Sequence, residues 1–183
     1  MRRKLKILMT VLILITLSFI AFSIHKKINR EKHIAKQIYN IPKFCFYNPG
    51  TGSIFNNNDL EKNKATLIIN FHPECEHCQY EADIISERIN EFRPFQVLFI
   101  TYASAEQIRK FAQDYRLIGF ANIIFLEDRE LIFNDVFGES IVPESYIYDK
   151  NGKLVKKFRG EVKVEALLKY LQTKDGNNIY PTH

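Results

Sequence analysis

Cysteine is scarce in this chain: three residues, Cys45, Cys75 and Cys78, among 183. That is too few for the multi-bridge framework of a small stapled scaffold. The length removes the need for one, since it suffices for one compact domain plus an extension. A basic excess is also missing where a folded domain would need it. Residues 1–42 hold nine Lys and Arg against one Glu, a net of +8, and residues 43–183 hold seventeen against twenty acidic residues, a net of −3. The formal charge of +5 therefore belongs to the N-terminal segment. The rest lacks the basic footprint that nucleic acid demands, and its interspersed charges read as a solvated surface. Internal repeats and low-complexity tracts are absent as well.

What the N-terminus does have is "ILMTVLILITLSFIAFSI", residues 7–24, without a charge. Eighteen such residues meet the rough minimum of about 17–18 for a membrane-spanning helix and exceed the ~7–15 of a signal-peptide core. No cysteine closes the stretch, so lipid attachment there is excluded. An uncleaved signal anchor over residues 1–24 is the expectation. A signal peptide cleaved after Ala21-Phe22-Ser23 is the alternative, with Phe22, Ile24 and the following basic run against it. Lys and Arg flank the span on both sides, so their count does not orient it. Residues 25–42 read as a polar helical stalk ending near Pro42, residues 43–175 as the folded domain, and residues 176–183 as a C-terminal tail.

Four apolar runs have strand character: "TLIINF" (66–71), "FQVLFIT" (95–101), "NIIFLE" (122–127) and "ESYIYD" (144–149). A fifth, "KLVKKF" (153–158), follows Asn151-Gly152, a strong hairpin signal, so the last two runs are expected to pair antiparallel. Between strands, Ala82, Ile85, Ile89 and Phe92 recur at helical spacing. So do Ile108, Phe111, Ala112 and Tyr115, and Val164, Leu167, Leu168 and Leu171. Gly50-Thr51-Gly52 is expected to turn a small leader hairpin formed by residues 43–48 and 53–55. The order predicts an α/β fold: a mixed central sheet with helices on both faces and an N-terminal β-hairpin extension.

The chemistry concentrates in "FHPECEHCQYE", residues 71–81. A C-x-x-C placed directly after a strand and at a helix start sets Cys75 beside unpaired backbone N–H groups and partial positive charge. A thiolate is favoured there, and the thiolate is the reactive form. Cys78, one turn further, is close enough to close a disulfide. Cys75 is then the nucleophile and Cys78 the resolver of a mixed disulfide. The competing reading takes His72, Cys75, His77 and Cys78 as a metal-binding or metallochaperone set. Against it, four ligands within seven residues crowd the helix start, and the other histidines, His25, His33 and His183, lie far off in sequence. A non-catalytic interaction domain is the third possibility. Cys45 reads as a small buried hydrophobe.

Three stretches resemble the membrane-anchored thioredoxin-like thiol-disulfide oxidoreductases of the TlpA/ResA group. They are "INFHPECEHCQYE", "IVPESYIYDKNGKLVKKFRG" and the leader "FCFYNPGTGSIFNNNDL". The resemblance implies a thioredoxin-like fold. It places Val142-Pro143 in the loop whose cis-proline lies against the cysteines and lines the substrate groove, with an ordinary trans turn proline as the alternative. It also gives Glu81, three residues after Cys78, a role in shuttling protons or tuning Cys78. An exposed carboxylate in the first helical turn is the alternative. The group implies disulfide-containing protein substrates, a membrane electron-donor protein, no cofactor, and a single-pass place in the bacterial cytoplasmic membrane. The C-terminal domain is then on the extracytoplasmic (periplasmic) side. The departures are the absence of any Trp, with Glu74 in its usual place before the first cysteine, and a connection one residue shorter. Because of the shortening, Asn70 and His72 are given no counterpart.

The residues between the cysteines tune the direction of electron flow. His77, protonated or hydrogen-bonding, favours a Cys75 thiolate and a more oxidising disulfide. Glu74 and Glu76 oppose it by charge repulsion. The family likeness, not these residues, tips the expectation toward reduction of exported proteins.

Overall fold

The computed structural model describes residues 2–173. The tail assigned to residues 176–183 lies outside them. Two compact units divide the chain, residues 1–37 and 38–183.

The first unit is a single helix, α1 (Arg2–Gln37), with no break where the composition turns from apolar to basic. It is the one helix among the described residues long and apolar enough to cross a membrane. Its large apolar side chains, among them Leu14, Phe19 and Phe22, are exposed, which suits a hydrocarbon surround rather than water.

The second unit is built on a seven-stranded sheet in the order β2-β1-β5-β4-β3-β6-β7. The strands are β1 (Cys45–Tyr47), β2 (Ile54–Asn56), β3 (Thr66–Asn70), β4 (Gln96–Thr101), β5 (Ile123–Glu127), β6 (Glu144–Tyr148) and β7 (Leu154–Arg159). The three central strands β3, β4 and β5 are parallel; β6 and β7, and the leader hairpin β1–β2, add antiparallel edges. The sheet is therefore mixed, as the order of apolar runs predicts, and each of the five main strands falls within one residue of its run.

One sheet face carries Leu67, Ile69, Val97, Phe99 and Ile147 against α2 (Glu76–Glu87), α4 (Ala105–Asp114) and α6 (Val164–Leu171). Phe71, just past β3, joins them and stacks among Phe99, Phe111 and Phe125 with ring centroids 4.7 to 6.0 Å away. The opposite face carries Tyr146, packed on Phe133 and Phe137 of the short helix α5 (Phe133–Phe137), and Phe46 of β1 packs on Phe133. Burying each such ring contributes roughly 1.5–3 kcal/mol.

Four local details differ from the sequence reading. The helical stripe 82–92 is split: Arg88 leaves the helix at φ −113°, and a one-turn helix α3 (Ile89–Phe92) follows. Arg88 forks onto Glu91 and also reaches Glu165. The 144–159 hairpin does not turn on a two-residue Asn-Gly loop. Asp149 and Lys153 close it, Asp149 Oδ1 accepts from the N–H groups of Asn151 and Lys153, and Gly152 alone takes positive φ. Cys45 is half-exposed, because Phe44 and Phe46 take the inward positions of the alternation and leave it outward. Residues 39–41, read from sequence as the end of the stalk, pair with the tip of the last hairpin. Leu154 N–H donates to Tyr39 O at 2.8 Å and Ile41 N–H to Gly152 O at 2.9 Å. They cover part of an otherwise open sheet edge.

Candidate active site

β3 delivers the chain to a tight turn in which Cys75 N–H donates to His72 O at 3.0 Å and Glu74 N–H to His72 Nδ1 at 3.3 Å. Gln79 Nε2 reaches back to Pro73 O at 2.8 Å. Cys75 is the N-cap of α2, and its carbonyl accepts from the N–H groups of Cys78 and Gln79. Cys75 is half-exposed and Cys78 is buried, and both are free thiols. Glu74, Glu76 and His77 stand exposed around Cys75.

Two loops close on this corner. The Val142–Pro143 peptide is cis, and Cys75 Sγ lies 3.8 Å from Val142 O. Asn70, at the end of β3, donates from Nδ2 to Ser140 Oγ, and Ser140 Oγ donates to Ile141 O at 3.2 Å. The strand leading to the cysteines is thus tied to the proline loop. The loop after β7 joins from the other side, where Gly160 N–H donates to Pro143 O at 2.9 Å.

Glu81 is 1% exposed, so the solvated-carboxylate alternative is out. Its Oε1 accepts from Ser145 Oγ at 3.0 Å, and no partner for Oε2 is found among the described residues. Burial pushes its pKa up to about 8; the Ser145 bond opposes the rise and the charge of Glu161 adds to it. Burial likewise pushes the Cys78 thiol far above its ordinary range, helped by its hydrogen bond with Cys75 and by the charge of Glu81. A buried thiol that resists ionisation beside a carboxyl of raised pKa is an arrangement able to pass a proton at near-neutral to mildly alkaline pH.

The sequence-read residues Cys75, Cys78, Glu81, Val142 and Pro143 converge on this corner. Glu76 and His77 lie on its solvent side. The suggested metal set does not converge. His72 packs on the Tyr102 ring at 5.1 Å, His77 Nδ1 meets Glu161 Oε2 at 2.8 Å, and among the described residues no group of three or more His, Cys, Asp or Glu could hold an ion. Ser140, Ser145 and Glu161 escaped the sequence reading. They lie 64 to 84 residues from their partners, and only the tertiary fold brings them in. The alternation along β6 would have separated Ser145 from Glu144, but not shown which faced Glu81.

A mixed sheet whose central strand runs into a C-x-x-C helix, faced by a cis-proline loop, is the thioredoxin-like fold of the thiol-disulfide oxidoreductases. The chain belongs to the AhpC/TSA family, whose profile matches residues 39–157. Among solved structures it is similar to a secreted Mycobacterium tuberculosis disulfide oxidoreductase homologous to Escherichia coli DsbE. That likeness has 16% identity, covers 74% of this chain and 96% of that one, and has a TM-score of 0.60. StoA of Bacillus subtilis is similar at 12% identity, 73% and 99% coverage and a TM-score of 0.57. At these identities the likeness establishes the fold. A thioredoxin candidate from Neisseria meningitidis is similar at 27% identity, 70% and 85% coverage and a TM-score of 0.58. No curated protein matches the chain.

Proposed function

We propose that this chain is a membrane-anchored oxidoreductase that reduces disulfides of exported proteins on the extracytoplasmic side, using Cys75 and Cys78. The observation that carries the reading is the asymmetry of the pair. Cys75 is half-exposed at a helix start beside the Val142–Pro143 loop, and Cys78 is buried one turn in, next to buried Glu81.

The Cys75 thiolate attacks one sulfur of a substrate disulfide. A Cys75–substrate bond forms, the substrate S–S bond breaks, and the departing sulfur takes a proton from solvent. Ionised Glu81 then accepts the Cys78 proton, and Cys78 sulfur attacks Cys75 sulfur. The Cys75–Cys78 disulfide forms and the second substrate thiolate leaves. Two electrons have moved from the chain to the substrate, and a dithiol donor in the membrane must return two to reset it. Val142 and Pro143 line the groove where the substrate strand lies. Residues 1–24 are the anchor and residues 25–37 the tether, since the folded unit already begins at residue 38. Disulfide chemistry on protein substrates suits an oxidising compartment and supports the outward orientation.

Trapping tests this. In cells, Cys78→Ser is expected to accumulate mixed disulfides through Cys75 that reducing agent releases, and Cys75→Ser Cys78→Ser none. A Cys78→Ser chain that captures no more protein than the double variant would refute the reading.

A further inference from the structure

Charges around the dithiol set its poise, and one of them comes from a distant part of the chain. His77, between the cysteines, is held by Glu161 of the loop joining β7 to α6, at 2.8 Å between Nδ1 and Oε2. Glu161 is not on a loose segment. On one side Gly160, at φ +82°, donates its N–H to Pro143 O, and on the other Val162 is buried in the core cluster that contains Cys78. The backbone of residue 161 is thereby fixed against both the proline loop and the core beneath the cysteines.

The contact contributes little to stability. The two side chains are 70% and 40% exposed, and solvated pairs of this kind add little to folding. Its effect falls on the thiols instead. Left free, a cationic or hydrogen-bonding imidazole next to Cys78 would turn to the Cys75 thiolate, favour the dithiol and make the disulfide more oxidising. The other charges near His77 are carboxylates: Glu74 in the preceding turn, and Glu76 and Glu81 on its own helix. Arg159, two residues before Glu161, is engaged with Glu144 at 3.1 Å. Lys163 is exposed at the start of α6.

We infer that Glu161 is a positioning residue that draws the His77 imidazole away from Cys75 and offsets its charge, and so keeps the Cys75–Cys78 pair reducing. The inference rests on the oxidoreductase reading above and deepens it: the direction of electron flow is set by a residue outside the C-x-x-C helix. The same carboxylate adds to the field that keeps Glu81 protonated.

The test is the equilibrium of the full chain with glutathione at pH 7, read by alkylation of Cys75. Glu161→Gln is expected to shift the constant roughly three- to tenfold toward the dithiol. In a His77→Asn background the same substitution is expected to shift it less than twofold, because the group that Glu161 restrains is gone. A purely structural role would not show that dependence on His77. A Glu161→Gln chain within twofold of the parent overturns the inference, and so does a shift that persists in full with His77→Asn. A parent chain that forms no Cys75–Cys78 disulfide at any glutathione ratio overturns the oxidoreductase reading itself, and the inference with it.

Discussion

Glu81→Gln is expected to stabilise the folded domain increasingly as pH rises, and at the same time to slow it as a reductase. Glu81 has its pKa pushed from an ordinary 4.5 to about 8 by burial. Between these values the folded state holds a proton that the unfolded state has released. The parent therefore loses stability as pH rises through this window, by about 1.4 kcal/mol per pH unit, and levels off above pH 8. Glutamine does not titrate, so the difference between variant and parent should grow with pH over the same window and amount to several kcal/mol. Ser145 Oγ can still donate to the amide oxygen, which spares that contact. Denaturant midpoints of both chains at pH 5, 6, 7 and 8 measure the effect, and parallel stability curves would remove Glu81 as a buried titrating group. The kinetic counterpart runs the other way. In the parent the release of the second substrate thiol should quicken as pH rises through about 8, where Glu81 becomes able to take the Cys78 proton. In the variant it should be roughly a hundredfold slower at pH 8, the lower end of what a placed base contributes.

Phe71→Ala should cost about 3–5 kcal/mol of stability. Phe71 is 1% exposed and meets three other rings. Phe71→Leu, which keeps most of the volume, should cost about 1.5 kcal/mol or less. For a domain of this size the alanine variant should melt roughly 10–15 °C lower. The loss has a local reading too. Phe71 lies between the end of β3 and the turn that positions Cys75, in the same core cluster as Cys78. Alkylation of Cys78 should accelerate in Phe71→Ala under conditions where the parent protects it. Unchanged protection would mean that the ring supports the sheet without holding the cysteine corner.

The sheet was legible because its strands are fully buried apolar runs bounded by polar turns, a signal carried by adjacent residues. The C-x-x-C after a strand was a local signal too, whereas Glu81 stood out only through the resemblance, and its burial became visible only in the structure. Arg88 shows where that signal fails. The apolar spacing of Ile85, Ile89 and Phe92 continues smoothly across it, but the backbone does not, and the Arg88 pairs with Glu91 and with Glu165 on another helix are invisible to that spacing. Cys45 shows the limit of a residue-type prior: the rings on either side claim the core. Ser145 and Glu161 show the largest gap. Each matters only through a partner on α2 more than sixty residues away, and although Pro143 lies two residues before Ser145, nothing local says which side chains α2 brings to them.

The pairing of residues 39–41 with the tip of the last hairpin has a mechanical consequence. The leash enters the folded domain at Gly152–Leu154, and the thiols sit by Pro143 and Gly160, at the opposite end of the same two strands. The six residues of β7 put about 20 Å between fastening point and chemistry. Within the folded unit, the first residues and the thiols therefore lie at opposite ends of one hairpin, so strain on residues 39–41 reaches the hairpin tip before it reaches the cysteines.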